Sequence, residues 1–147
     1  MKKITIMLAM MVTLTTTWAF SGEEAINKQA LAAFKTEFAG ATDAAWSVDN
    51  EYYKVTFILN DQRLFAYYRI NGEFISVTRY ISPVQLPLNL QSRLMKFYNN
   101  AWVSDLFEVA TSKGTRYYVT LENADSKIIL KSVNGRDWFI YQKDKKE

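Results

Sequence analysis

The chain contains no histidine and no cysteine among its 147 residues, and only two prolines and five glycines. Without histidine it lacks the side chain that titrates near neutral pH, the usual activator of a nucleophile and the commonest metal ligand. Without cysteine it has no thiol nucleophile, no cysteine to carry a lipid and no disulfide framework. The two absences together exclude Cys-His and Ser-His mechanisms and disfavour a zinc site, so no cofactor is expected. An enzyme built from this sequence would have to work with carboxylates, lysine or tyrosine.

Long apolar runs are also scarce. The one at the N-terminus follows Met1-Lys2-Lys3, extends from Ile4 to about Leu14 and gives way to Thr15-Thr16-Thr17-Trp18-Ala19-Phe20-Ser21. This order of basic, apolar and small-residue regions matches a secretory signal, residues 1–21, with cleavage after Ala19 or Ser21 both compatible. The run is shorter than the roughly 20 residues of a spanning helix, so the mature chain is expected free, without a membrane anchor, in the periplasm or outside the cell. Loss of Lys2 and Lys3 lowers 18 basic residues to 16 against 15 acidic ones. The near balance gives no electrostatic case for nucleic acid, and Lys143, Lys145 and Lys146, interleaved with Asp144 and Glu147, read as a solvated, frayed terminus.

What is present is a duplication. Tyr53-Lys54-Val55-Thr56-Phe57, a hydrophobic run and Ile70-Asn71-Gly72 recur as Tyr117-Tyr118-Val119-Thr120-Leu121, a run and Val133-Asn134-Gly135. Val55 and Val119 are 64 positions apart and Asn71 and Asn134 are 63 apart, so one gap aligns the copies. Residues 22–147 are therefore expected to form a single domain of two repeats, 22–81 and 86–142, joined by the link that holds Pro83 and Pro87. In the first copy Ile26, Ala30, Leu31, Phe34 and Phe38 fall at helical spacing from Glu23 to Phe38, with Gly40 as the stop. Extended segments follow at Asp43 to Val48, Tyr52 to Leu59, Arg63 to Ile70 and Phe74 to Ile81, with Asn71-Gly72 read as a type I′ hairpin. The second copy repeats the order: a helical stripe of Leu90, Leu94, Phe97 and Tyr98, then strands Trp102 to Ala110, Arg116 to Leu121, Lys127 to Val133 and Trp138 to Gln142. The expected class is α+β, with helices packed on one face of an antiparallel sheet of about eight strands.

The ordered set of helix, Phe34, Phe38-Ala39-Gly40-Ala41, Trp46, Tyr-x-Val-x-Phe, Asn-Gly, Ile81, Leu86-Pro87 and Tyr98 resembles the PepSY-like proteins exported by Bacteroidetes, also described as β-lactamase-inhibitor-protein-like. The resemblance spans essentially the whole mature chain. It implies two tandem helix-plus-sheet units sharing one sheet, and a binding or inhibitory role without catalysis; it supplies no catalytic residues to carry over. The second copy departs from the pattern where Asn99-Asn100-Ala101 replaces a glycine turn and Trp102 stands close to the helix.

Ser112-Lys113 and Ser126-Lys127 could suggest Ser-Lys dyads, but sequence neighbours point to opposite faces of a strand or lie in a turn, so neither pair converges. The aspartates sit in turns, where turn geometry alone favours them, and the oxygen-bearing stretches Asp49-Asn50-Glu51 and Asn123-Ala124-Asp125 lack the spacing of a calcium loop. Alternation separates an apolar face (Tyr53, Val55, Phe57, Leu59, Leu64, Ala66, Tyr68, Ile70) from one of another kind. The latter carries Tyr52, Lys54, Thr56 and Ile58, then Arg63, Phe65, Tyr67 and Arg69, then Phe74, Ser76, Thr78 and Tyr80. Alignment adds Arg116, Tyr118 and Thr120, whereas Ile128-Ile129-Leu130 does not alternate. Aromatic rings and guanidinium groups are enriched at protein interfaces, so Tyr52, Arg63, Phe65, Tyr67, Arg69, Tyr80 and Tyr118 form the candidate protein-binding face. The alternatives are a homodimeric or structural envelope protein, a small-ligand sensor, and a carboxylate hydrolase needing a pocket with two carboxyl groups.

Overall fold

The computed structural model describes residues 22–146, so the expected signal segment lies outside the described residues. A short 3-10 turn, Glu23–Ala25, precedes the first helix α1, Lys28–Glu37. The helix begins later than its apolar spacing indicates because Asn27 caps it: the Asn27 side chain accepts a hydrogen bond from the Gln29 N–H at 2.7 Å. Such a cap fixes the N-terminus of a helix by satisfying an otherwise orphaned donor. Ile26 stays in extended backbone before the cap yet joins the same core as Ala30 and Phe34. Gly40, with φ +88°, turns the chain out of the helix.

Four strands follow, β1 (Thr42–Val48), β2 (Tyr52–Leu59), β3 (Gln62–Arg69) and β4 (Phe74–Tyr80). A 3-10 turn at Pro83–Gln85 leads into helix α2, Leu88–Phe97, and then to β5 (Trp102–Thr111), β6 (Gly114–Glu122), β7 (Ser126–Ser132) and β8 (Phe139–Lys145). All eight strands pair in sequence order as one antiparallel sheet, which runs without a break from β4 to β5 through the pairs Val77 with Ala110 and Tyr80 with Phe107. The expected α+β class with eight strands is what forms.

One core cluster joins Ile26, Ala30 and Phe34 to Trp46, Tyr53, Val55, Phe57, Ala66 and Tyr68. Its rings pack edge to face, with Phe34 5.0 Å from Phe57 and 5.5 Å from Trp46 between centroids, the arrangement that aromatic quadrupoles favour. A second cluster joins Leu90 and Leu94 of α2 to Leu106, Val119, Leu121 and Leu130. Trp138 closes its rim, donating its indole N–H to the Leu90 carbonyl at 3.1 Å.

Three expectations need correction. Asn71-Gly72 is not a type I′ turn, because of the two only Gly72 has positive φ; the connection is four residues long, and the Asn71 side chain accepts from Glu73 N–H. The two-residue hairpin with both φ positive is Asn60-Asp61, between β2 and β3. Phe74 does not share a face with Ser76. The register passes from Tyr67 opposite Ser76 to Tyr68 opposite Phe74, so Ile75 is a bulge residue and Phe74 turns into the first core, while Ile70 lies exposed in the turn. One extra residue reverses the facing of everything beyond it. Finally, the lysine-rich terminus is not frayed: the strand expected to end at Gln142 continues through Lys143 to Lys145 as the end of β8, paired along β7, and Lys146 bonds Glu122 at 2.8 Å.

Candidate protein-binding face

The register assigns the two faces of the sheet. Val55, Ala66, Val77 and Ala110 align across β2 to β5 on one side; Thr56, Phe65, Thr78, Val109 and Arg116 align across β2 to β6 on the other. Two residues along, Tyr80, Phe107, Tyr118 and Lys131 align on that second side. Ile129, opposite Thr120, joins them, and Ile128 and Leu130 face the other way, which resolves the run that alternation could not.

The second side carries a continuous aromatic band. Phe65 meets Tyr80 at 6.1 Å, Tyr80 meets Phe107 at 6.4 Å, Phe107 stacks on Tyr118 at 5.1 Å, and Tyr118 meets Tyr141 at 6.0 Å. Tyr52 and Tyr67 form a further pair at 5.9 Å, and the Lys54 ammonium bridges them to the band, 4.8 Å from the Phe65 ring centre and 5.9 Å from that of Tyr67. At the far end Lys131 stands 5.5 Å from Tyr118 and 5.6 Å from Tyr141. Each contact lies within the range of cation–π attraction.

The expected site residues divide by exposure. Tyr80 is 63% exposed at the centre of the band, Phe65 and Tyr52 are half-buried, and Tyr67 (9%) and Tyr118 (6%) are covered by their neighbours. Tyr67 and Tyr118 therefore form the floor of the face, packed with Phe107 and Val109, which are buried as well. Arg63 and Arg69 are exposed near opposite ends of β3, and Arg69 pairs with Glu73 at 3.3 Å. Among the described residues neither arginine stacks on a ring of the band. Phe107 and Tyr141 belong to it without having been anticipated. Phe107 follows from the pairing of β4 with β5, which nothing local specifies, and Tyr141 is the bulge residue of β8, between Ile140 opposite Leu130 and Gln142 opposite Ile129.

Burial sets the titration of these groups. It holds the Lys54 ammonium below the usual lysine range and pushes Tyr67 up to about 12, against a hydrogen bond with Thr78. Tyr52 also rises to about 12, first through burial and then through its hydrogen bond with Asp49. Tyr80 is raised by burial and by the charge of Asp105. All of these tyrosines are neutral at physiological pH. Beneath the face, the Ser76 hydroxyl is fully buried and has no hydrogen-bond partner among the described residues.

The opposite side of the central strands holds a cleft of about 420 Å³ lined by Leu59, Leu64, Val77 and the polar groups of Gln62, Arg79 and Glu108. Arg79 donates through Nε and Nη2 to the two Glu108 oxygens at 3.1 and 3.4 Å, and through Nη1 to Gln62 at 2.7 Å. Glu108 is the single carboxylate of that lining and is held by Arg79, so the cleft does not supply the pair of carboxyl groups a glycosidase-type hydrolase requires. Among the described residues no three Asp or Glu side chains converge as a metal site, the two oxygen-bearing loops included. Ser112 and Lys113 lie in the β5–β6 turn and Ser126 and Lys127 follow one another in β7, as their spacing indicates. Among the described residues no helix is long and apolar enough to cross a membrane.

No family model and no curated protein matches the chain. Solved structures do. A BLIP-like protein from Bacteroides fragilis superposes with a TM-score of 0.71 at 19% identity, over 82% of this chain and 86% of that one. A DUF2874 family protein from Bacteroides uniformis gives 0.69 at 17% identity, over 81% and 88%. A protein from Bacteroides eggerthii, assigned provisionally to the periplasm, gives 0.68 at 13% identity, over 82% and 88%. The likeness that the sequence motifs indicate is thus present in three dimensions: the chain has the fold of the BLIP-like and DUF2874 proteins of Bacteroides.

Proposed function

We propose that this chain is an exported, non-enzymatic protein-binding module, and that the aromatic face of its sheet is the surface that engages the partner. The reading includes two tandem helix-plus-strand units, 22–81 and 86–142, whose helices share the side of the sheet bearing Val55 and Val119 and leave the band uncovered. The observation that carries it is Tyr80: a large ring, mostly exposed, standing between the half-buried Phe65 and the buried Phe107. A rigid aromatic anchor on a pre-packed floor loses little side-chain entropy on binding, the property of interface hot spots. The BLIP-like name of one structural neighbour suggests that binding inhibits the partner.

The test compares the chain from residue 22 with its Tyr80→Ala/Phe65→Ala variant, after both are shown to melt at similar temperatures. Each is immobilised and exposed to envelope extract of the source cell. A protein retained by the parent alone supports the reading and identifies the partner. Equal retention by both places binding elsewhere, and a mass that doubles with concentration in the parent but not in the variant transfers the face to a homodimer.

A further inference from the structure

The chain is nearly neutral after removal of residues 1–21, yet its charge is unevenly placed. On the side of the band, the strands carry Lys54, Arg63, Arg69, Arg116, Lys127 and Lys131 against Asp105, Glu122 and Asp144. Glu122 already pairs with Lys146, Arg69 pairs with Glu73, and Asp105 feels Lys127. Arg116 and Lys131 make no ion pair among the described residues, and they flank Tyr118. The local excess is therefore cationic and lies along the band. The band is a chain of successive ring contacts from Phe65 to Tyr141. It crosses the strands from β3 to β8, five strand spacings or roughly 24 Å. A strip of that shape matches an extended chain better than a broad globular surface.

Resting on the binding-face reading above, we infer that the partner presents an acidic extended segment, which lies across the strands along the band with apolar side chains against Tyr80 and Tyr141 and carboxylates toward Arg116 and Lys131. Among the rings joined in the band from β4 to β8, Tyr80 and Tyr141 are the exposed ones, 63% and 39%, with Phe139 (55%) exposed beside Tyr141 on the same strand, and four strand spacings separate Tyr80 from β8. That is about 19 Å, the span of about six extended residues, so the two apolar anchors of the segment stand about six positions apart. An acidic glycan would satisfy the cations but not the rings. Sugars stack on exposed parallel ring faces, whereas Phe65–Tyr80 and Tyr118–Tyr141 cross at 90° and 79° and the stacked pair Phe107–Tyr118 is buried.

The probe is a fluorescent nine-residue peptide, Glu-Trp-Glu-Glu-Glu-Glu-Glu-Trp-Glu, measured by anisotropy against the chain from residue 22. Its controls are the same peptide with lysine in place of glutamate, a variant with the two tryptophans adjacent, and a heparin-derived octasaccharide. We expect the glutamate peptide to bind at least about tenfold tighter than each control, to weaken as salt rises, and to lose about tenfold on Tyr80→Ala and on Lys131→Gln. No binding of the glutamate peptide, equal binding of the lysine peptide, or preference for the octasaccharide overturns the inference. If Tyr80→Ala/Phe65→Ala still abolishes capture of a protein from extract, the binding face survives that failure; if it changes neither assay, both fall.

Discussion

Gly72 lies against the first turn of α1 so closely that a Cβ placed on it would stand 2.7 Å from the Cβ of Gln29 and 2.9 Å from the Ala30 nitrogen. Its φ of +92° is also one that side chains rarely adopt. The glycine of the second hairpin differs: a Cβ on Gly135 would meet Pro87 at an ordinary 3.7 Å. Gly72→Ala is expected to cost about 2–4 kcal/mol, combining backbone strain with displacement of the helix, and Gly135→Ala about 1–2 kcal/mol. Urea denaturation of the two variants measures the difference, and equal losses would contradict the close approach at Gly72.

Core and face should respond in opposite ways. Phe34 is buried among Trp46, Phe57 and Phe38, so Phe34→Ala is expected to cost about 3–5 kcal/mol. Tyr80→Ala removes an exposed ring and is expected within about 0.5 kcal/mol of the parent. A thermal melt of each, read beside partner binding, separates the two roles: Tyr80→Ala loses binding and keeps its melting temperature.

Two buried hydroxyls have no partner among the described residues, those of Tyr68 and Ser76. A buried polar atom without a hydrogen bond costs about 1–3 kcal/mol, so removing it should stabilise the fold. Tyr68→Phe and Ser76→Ala are each expected to raise stability by about 1 kcal/mol in chemical denaturation. A loss in either variant would mean that the hydroxyl is bonded in solution, for instance to water.

At one end of the sheet two carboxylates carry opposite pH signatures. Burial raises Asp105 above its ordinary range, against the Leu106 N–H and Lys127. The folded chain therefore binds that proton more tightly than the unfolded one, and the site loses stability as pH rises through its folded pKa. Glu122 is lowered by its hydrogen bonds with Lys146 and Ser104, so its contribution is present above the ordinary glutamate pKa and fades as pH falls through the folded value. Asp105→Asn is expected to be more stable than the parent at neutral pH, and Glu122→Gln less stable. The Asp105 gap should close as pH falls below the ordinary aspartate range and the Glu122 gap as pH falls through its lowered folded value, which denaturation curves at several pH values would show.

The alternation of Tyr53, Val55 and Phe57 and the helical spacing of Ala30 and Phe34 made the first core legible, because each of these residues obeys a strictly local period. The same period failed at Phe74, where the bulge at Ile75 reversed the facing, since a bulge has no composition of its own. Both Asn-Gly pairs marked turns correctly, but the type expected at Asn71-Gly72 was wrong: its four-residue connection needs positive φ at the glycine alone, and the two-residue requirement fell on Asn60-Asp61. β8 was legible only as far as Gln142; Lys143 to Lys145 were hidden because an edge strand whose residues are all exposed shows no buried period, and its lysines resemble a loose end. The candidate face was legible in part. Phe65, Tyr67 and Tyr80 came from strands that alternate, while Phe107 and Tyr141 joined them only through pairings distant in sequence.

The outer strands bear on how an eight-stranded sheet with an aromatic band avoids joining itself edge to edge. β1 carries an extra residue between Thr42 and Ala45, with Asp43 at positive φ, and β8 carries one at Tyr141 followed by Lys143, Asp144 and Lys145. An irregular, charged rim cannot offer a straight ladder of N–H and C=O groups to another strand. Sideways growth into fibrils is thus discouraged at both margins, which leaves the flat of the sheet as the route by which two copies could meet.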